Sequence, residues 1–152
     1  MLKMHEIELT IGHGSISGYV IDAAEPNIKN YLMQHTNLGK SIAGRLAQRN
    51  EVVALLRNLY VDLEHRGQGI GSELVSSFLQ EAEQAGATSY ILLSDSGEEQ
   101  VNDLDLNAWY ENFGFCKVLS TGSGPLMVMP DSVADDLTDF LGPQDDECYF
   151  EP

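Results

Sequence analysis

The sequence predicts an α+β fold in which helices flank a mixed β-sheet. Segments that alternate or are rich in β-branched residues stand between segments with helical periodicity, without strict alternation of the two. Glycine and proline lie at the ends of most of these segments, where a chain turns. A chain of 152 residues is most simply one domain, and it is long enough to bury a core without disulfides.

Two strands and a helix are predicted at the start of the chain. The segment HEIELTI, residues 5–11, alternates apolar and polar residues, and SISGYVID, residues 15–22, does so after the turn GHG. Pro26 suits the first turn of a helix. One side of that helix would carry Ile28, Tyr31, Leu32 and His35. Residues 37–50 include SIAGRLAQ, which fits a strand or a short helix equally well.

The middle of the chain predicts a strand, a helix and another strand. Residues 51–63, EVVALLRNLYVDL, are apolar and β-branched at both ends, which indicates one or two buried strands with a bend. A glycine-rich turn follows. The next helix would be buried through Ile70, Leu74, Val75, Phe78, Leu79 and Ala82. Gly86 is expected to end this helix, and residues 88–94 form the next strand.

The last third predicts a helix, two strands and an acidic helix. Asn102 or Asp103 caps a helix that ends at Gly114 and buries Leu106, Trp109 and Phe113. The segments FCKVLS and GPLMVMP form strands around the turn TGSG, and an exposed sheet edge at GPLMVMP would permit a homodimer. The final helix, DSVADDLTDFL, places one apolar face toward the core: Val133, Leu137, Phe140 and Leu141.

These elements divide the chain into two parts of unequal size. Residues 1–130 form the main domain, and residues 131–152 form an acidic helix and tail. The acidic segment either packs on the sheet with its end solvated, or borders a binding groove or a partner subunit.

The charge of the chain is strongly negative and unevenly distributed. The net charge is −16; residues up to Arg66 hold seven Lys or Arg and seven Asp or Glu, whereas the rest hold seventeen acids and only Lys117 as a base. Such a surface repels nucleic acid phosphates. It favours cationic partners such as amines, polyamines or basic protein tails, and it also serves solubility alone.

Composition indicates a cytoplasmic protein. The first ten residues carry charges where a signal peptide would be apolar, and no apolar run is long enough to cross a membrane. Cys116 and Cys148 form neither a disulfide framework nor the spacing of a metal site. We therefore expect no metal, no membrane association and a reducing compartment.

The turn HRGQGIGSELV, residues 65–75, joins the middle strand to its helix through alternate glycines. Free N–H groups at a helix start bind phosphate, and glycine lets a ligand approach the backbone closely. A tight turn packed on the sheet would need similar glycines. A Walker loop is excluded because no lysine follows, and the third glycine of a dinucleotide loop would fall at Ser72.

The segment LYVDLEHRGQGIGSELV resembles the acetyl-coenzyme A loop of the GNAT N-acetyltransferase superfamily, [RQ]-x-x-G-x-[GA]. Arg66, Gly69 and Gly71 occupy its fixed positions, and Val61 ends the strand before it. The resemblance implies that the loop, including Gly67, Gln68 and Ile70, holds the pyrophosphate of acetyl-CoA. It also implies that the sheet splays beside this strand, so that the pantetheine arm lies in the gap.

A second segment, NAWYENFGF at residues 107–115, resembles a later helix of the same superfamily. Asn107 and Tyr110 lie one helical turn apart and share a face. The resemblance implies that Asn107 contacts the coenzyme and that Tyr110 lies near the thioester sulfur, where it protonates the departing thiolate. A phenol with a pKa near ~10 suits that exchange. Tyr110 also fits a core aromatic residue. The resemblance covers roughly residues 51–130.

The general base is the point at which the sequence departs from part of the family. Some members have a glutamate on the strand before the loop, but residues 55–59, LLRNL, contain no carboxylate. Glu51 comes too early, and Asp62 and Glu64 belong to the approach of the loop. The alternatives are ordered water, Ser94, Asp95, His35 and His65.

Three functions are compatible with these observations. The resemblance implies an N-acetyltransferase that acts on a small cationic amine or a protein amine. A protein that binds coenzyme A or a basic partner without turnover is the alternative, because the carboxylate is missing. Acetylation of aminoacyl-tRNA is disfavoured by the net charge of −16.

Overall fold

A computed structural model describes residues 4–61, 69–93, 106–121 and 124–142, without the side chains of residues 61, 106 and 107. Within these ranges the strands and helices follow the predicted order. Their bounds are β1 His5–Ile11, β2 Gly14–Asp22, α1 Pro26–Met33, α2 Gly39–Gln48, β3 Val52–Val61, α3 Ile70–Gln84, β4 Ser89–Leu93, α4 Leu106–Glu111, β5 Cys116–Thr121, β6 Gly124–Met129 and α5 Asp131–Leu141.

The strands form one mixed sheet in the order β1-β2-β3-β4-β6-β5. β3 and β4 are parallel, and the other neighbours are antiparallel. The α+β prediction is confirmed. The edge expected at GPLMVMP is wrong, because β5 turns back and pairs along β6, which places β6 between β4 and β5. The edges of the described sheet are β1 and β5, so a homodimer built on strand pairing would have to use one of them.

One face of the sheet is covered by α1, α2 and α5. Residues 37–50 are resolved as a helix over most of their length, because Ile42, Ala43 and Leu46 fall on one side and are buried there. Gly39 lets α2 approach α1, since a Cβ atom at this position would lie 2.5 Å from the backbone nitrogen of Met33. Burial of Leu46 alone contributes about 1.5–3 kcal/mol.

The opposite face is covered by α3 and by the end of α4. Helix α3 buries the face that its spacing predicts, with Leu74, Val75, Phe78 and Ala82 in the core. Gly86 and Gly114 follow α3 and α4 with φ angles of +100° and +107°, so both predicted helix ends are confirmed.

Helix α5 is attached to α2 by charge as well as by apolar contact. Arg45 donates from Nε and Nη2 to the two carboxylate oxygens of Asp136, both at 2.8 Å, and this contact holds the pKa of Asp136 below its usual value. The prediction that Phe140 belongs to the buried face is wrong: its side chain is 47% exposed. The Arg45 guanidinium lies 5.1 Å from its ring centroid, so Phe140 packs against this ion pair instead.

The predicted bend in the middle strand is a β-bulge in one continuous strand. Ser17 faces Asn58 and Gly18 faces Leu56, so Arg57 has no residue opposite it in β2. Gly18 also lets α3 pack closely on the sheet. A Cβ atom at this position would overlap the Leu55 carbonyl oxygen and lie 2.8 Å from Phe78 Cζ.

Within the described part of the chain, no helix is long and apolar enough to cross a membrane.

Two glycine-to-alanine substitutions should change stability in opposite directions. Gly18→Ala should lower the free energy of unfolding by about 1–3 kcal/mol, because the methyl group meets backbone and a packed ring. Gly44→Ala should raise it by about 0.5–1 kcal/mol, because Gly44 lies in α2 with open space around the added methyl group. Urea unfolding of both variants checks this, and equal effects would contradict the close packing at Gly18.

Candidate active site

The two central strands run together for only three residue pairs and then separate. β3 pairs with β4 from Val53–Ser89 to Leu55–Ile91. Beyond that point β3 continues to Val61 beside β2, and β4 continues to Leu93 beside β6. The side of β3 that would face β4 therefore has no strand partner among the described residues. Its N–H and C=O groups can bind an extended ligand.

Helix α3 starts near the open end of β3, since Gly14 pairs with Val61 and approaches the side chain of Ile70. Gly69 has φ +86° and precedes the helix, and its carbonyl accepts the N–H of Glu73 at 3.0 Å. The first N–H groups of α3 have no acceptor inside the helix, and they carry the positive end of its dipole. Such an end can hold a phosphate group.

Gly14 lies between two of the predicted coenzyme residues, Val61 and Ile70. It pairs with Val61, the last residue of β3, and a Cβ atom on it would lie 2.9 Å from Ile70 Cγ2. The Ile70 side chain therefore packs on the sheet, and only the backbone of Ile70 can contact a ligand. Gly71 follows in the first turn of α3. The predicted contacts of Arg66, Gly67 and Gln68 lie outside the described residues.

Tyr110 lies below the point where the strands separate. Leu56 and Leu92 are the first residues beyond the last β3–β4 pair, and both share a buried apolar cluster with Tyr110. The Tyr110 ring contacts Trp109 and Phe115 edge to face, with centroids 5.0 and 6.1 Å away. Asn107 is the second residue of α4, and its side chain lies outside the described part.

Burial changes the acidity of Tyr110. The side chain is 5% exposed, and the loss of water raises the pKa of its phenol to about 12. The reference pKa near ~10 assumed from the sequence is therefore too low. At neutral pH the phenol is uncharged and can act as a hydrogen-bond donor.

No carboxylate occupies the part of β3 where some superfamily members have one, since residues 55–59 are LLRNL. Glu51 is 7% exposed and accepts hydrogen bonds from Arg49 Nε at 3.0 Å and from the Thr88 hydroxyl at 2.6 Å. These contacts fix Glu51 in a structural role at the closed end of the strand pair. Asp62, Glu64, His65, Ser94 and Asp95 lie outside the described residues.

A polar cluster on the opposite face of the sheet was missed by the sequence analysis. The charge of Arg57 acts on two phenols, Tyr19 in β2 and Tyr31 in α1, whose pKa values are nevertheless raised overall by burial. The Tyr31 ring contacts His35, with centroids 4.9 Å apart. A signal was present, because Arg57 interrupts an otherwise apolar run.

A pocket of about 520 Å³, open to solvent, lies near this cluster at His35. Its walls are the end of α1, the α1–α2 connection and the end of β5, with Met33, Gln34, His35, Thr36, Asn37, Ser120 and Thr121 as lining residues. His35 belongs both to the lining and to the ring contact with Tyr31. Among the described residues, no group of three His, Cys, Asp or Glu side chains could hold a metal ion.

A family model for the acetyltransferase (GNAT) domain matches residues 29–117, which is more than half of the chain. No curated protein matches the sequence significantly.

Several solved structures resemble this fold. An acetyltransferase from Bacillus cereus has 15% identity and a TM-score of 0.51, with 82% of this chain and 72% of that chain covered. The KacTA–DNA complex contains a chain with 16% identity and a TM-score of 0.50, covering 90% and 73%. A putative acetyltransferase from Agrobacterium tumefaciens has 17% identity and a TM-score of 0.49, covering 84% and 74%. The first two show that the fold is shared.

The pKa of Tyr110 can be measured by difference. The phenolate absorbance of the wild type minus that of Tyr110→Phe should titrate near pH 12, because burial opposes ionisation. Since the folded pKa exceeds the unfolded one, the contribution of Tyr110 to stability should decrease as the pH rises from about 10 to 12. Circular dichroism over the same range identifies the pH at which the protein unfolds. A midpoint near 10 in the folded protein would contradict the burial of this phenol.

Proposed function

The chain belongs to the GNAT acetyltransferase family, and on that premise we propose that it transfers the acetyl group of acetyl-CoA to an amine. The observation that carries the proposal is the separation of β3 from β4 beside a helix that starts at a glycine with positive φ. It offers an unpaired strand edge for an extended arm and a positive helix end for a pyrophosphate.

The binding of acetyl-CoA is assigned to the backbone of this region. The first N–H groups of α3 hold the pyrophosphate, and the unpaired edge of β3 up to Val61 holds the pantetheine arm. The residue types fit, because glycine allows a close approach and arginine and glutamine add donors. The proposed contacts are Val61, Arg66, Gly67, Gln68, Gly69, Ile70, Gly71 and Asn107.

The reaction forms a C–N bond to the acceptor and breaks the C–S bond of the thioester; the amine loses one proton and the thiol gains one. A backbone N–H on the open side of β3 donates to the carbonyl oxygen as negative charge develops there.

Tyr110 is assigned to the departing sulfur as a hydrogen-bond donor, in place of the general acid that the resemblance implies. Its pKa of about 12 keeps it protonated throughout the neutral range. A thiol has a reference pKa of ~8.5, so the phenol is the weaker acid of the two. Tyr110 therefore stabilises the thiolate chiefly through its hydrogen bond, and the proton that the amine loses restores the neutral thiol.

The amine must lose a proton to attack, and no side chain of residues 55–59 can accept it. We assign this step to ordered water, with His35 at the pocket as the described side chain that could assist.

The acceptor is proposed to be a cytoplasmic small-molecule amine or the amine of a basic protein. The net charge of −16 favours a basic protein over a nucleic acid. The pocket of about 520 Å³ has the size of a small-molecule site.

A protein that binds coenzyme A without turnover is the second candidate. It is favoured by the absence of a carboxylate from residues 55–59, and by the deep burial of Tyr110. The two candidates agree on coenzyme binding and differ on transfer, so the two experiments below distinguish them.

Acetyl-CoA should stabilise the wild type and fail to stabilise Gly71→Asp. At about 100 times the dissociation constant, binding adds about 2.7 kcal/mol and raises the Tm by about 5–11 °C. An aspartate in the first turn suits the helix dipole but repels the pyrophosphate. Gln80→Asp adds the same charge to α3 about 13 Å further along its axis and should keep the shift. If Gly71→Asp also kept the shift, the coenzyme would not bind at this helix end.

Replacement of the Tyr110 hydroxyl should slow transfer without weakening coenzyme binding. Tyr110→Phe should lower kcat by about 100-fold, since that is the lower range for a preorganised hydrogen-bond donor to developing negative charge. The thermal shift with acetyl-CoA should be retained, because the coenzyme is held elsewhere. Tyr90→Phe, in β4 at the closed end of the strand pair, is the matched control. An unchanged kcat would remove Tyr110 from the chemistry; coenzyme binding without any thiol release from a panel of amines would favour the binding protein.

A further inference from the structure

Arg57 lies at the place where the two central strands separate. It follows the last β3 residue paired with β4, Leu55, by two positions, and it is the residue of the bulge without a partner in β2. Its side chain is exposed. Tyr110 belongs to the buried cluster on the α3 face of the sheet. The charge of Arg57 affects the pKa of Tyr19, which lies on the opposite face.

The bulge directs two successive polar residues toward the α1 side of the sheet. The amide of Asn58 donates to the Ser17 hydroxyl at 3.4 Å, and Ser17 lies on the same face of β2 as Tyr19. Tyr19 and Ile21 of this face belong to the core beneath α1. Arg57 therefore lies beside Asn58, close enough for its charge to be felt by Tyr19 and Tyr31.

Arg57 differs from the other described arginines in its electrostatic surroundings. Arg45 and Arg49 both contact Asp136, at 2.8 and 3.7 Å, and Arg49 also contacts Glu51 at 3.0 Å. No carboxylate of the described residues lies within 4.0 Å of Arg57. An exposed guanidinium with five donors therefore lies within electrostatic range of two phenols. Such a guanidinium is the group that binds a carboxylate or a phosphate.

An open pocket lies on the same face of the sheet as this cation, although Arg57 is not among the residues that line it. Tyr31 contacts His35, and His35 lines the pocket of about 520 Å³. The other lining groups are chiefly neutral and polar: the amides of Gln34 and Asn37 and three hydroxyls. Arg57 can therefore bind an anionic group of a small molecule, while the polar lining of the pocket can contact the uncharged remainder of that molecule.

We propose that Arg57 binds an anionic group of the acceptor, so that the preferred substrates are small amines that also carry a carboxylate or a phosphate. This inference rests on the proposed acetyl transfer and narrows its acceptor class. It opposes the expectation from net charge, which favours cationic acceptors. Arg57 is a specificity-determining residue in this proposal and takes no part in bond making.

The test is a competition among matched amines in one reaction with acetyl-CoA. The mixture contains equal amounts of the common amino acids, their carboxamides, phosphoethanolamine and ethanolamine, and mass spectrometry quantifies each acetylated product. The wild type should favour the acids over their amides, or phosphoethanolamine over ethanolamine, and the favoured pair identifies the anion as carboxylate or phosphate.

Variants separate the charge of Arg57 from other effects. In Arg57→Gln the preference for the anionic member should fall by about 10- to 100-fold, as expected for the loss of a charged hydrogen bond. Arg57→Lys should retain part of it, because the charge remains but the planar fork is lost. Lys29→Gln removes an exposed charge from α1 and should leave the preference unchanged. Comparing each ratio with that of the wild type cancels the different basicities of the amines.

The outcomes distinguish this inference from the function on which it rests. Acetylation of amides or ethanolamine at least as fast as of the anionic members would overturn the role of Arg57 while leaving acetyl transfer intact. An unchanged ratio in Arg57→Gln would do the same. If acetyl-CoA binds and no amine in the mixture is acetylated, this acceptor class is wrong, and thiol release in the presence of a basic protein then decides whether the proposed transfer occurs.

Discussion

Beyond Leu55, β3 stays paired with β2 up to Val61, but its backbone groups that point away from β2 have no partner in β4 among the described residues. This constraint determines how the rest of the molecule is arranged. An unpaired edge inside a sheet is costly unless water or a ligand satisfies it. Helices on both faces hold the two halves of the sheet together while the edge stays open. The open edge therefore fits the extended coenzyme arm proposed above, and the start of α3 lies where the end of such a ligand would need positive partial charge.

The bulge at Arg57 determines which polar side chains lie beside the open edge of β3. In a regular strand the side chains of Arg57 and Asn58 would lie on opposite faces of the sheet. The extra residue of the bulge places both on the face that carries Tyr19. Gly18 makes the bulge compatible with packing, since any Cβ atom there would meet the Leu55 carbonyl and the Phe78 ring. Strand bending, helix packing and the position of an arginine thus depend on one local irregularity.

The sequence was sufficient for most element positions, because strand and helix periodicities are local. It left residues 37–50 open, since SIAGRLAQ has no periodicity that excludes a strand, and only contact with α1 makes it a helix. The interior place of β6 depends on pairing with β4, which is distant along the chain. The raised pKa of Tyr110 depends on burial among aromatic rings, which spacing along the sequence does not reveal. The sequence pattern indicated a bend in β3, but it did not show at which residue the pairing with β2 shifts. The role proposed for Arg57 depends on that shift.

Net charge is a weak guide to the acceptor because charges act over short distances. At physiological salt the screening length is about 8 Å, so acids on remote surfaces contribute little to a ligand beside Arg57. The charge of the acceptor that binds depends instead on whether each nearby arginine already has a carboxylate partner. Arg45 and Arg49 are neutralised by Asp136 and Glu51, and they attach α5 and the start of β3 to the core. Arg57 is exposed at the strand separation, so a protein of net charge −16 can present a locally positive site to a substrate.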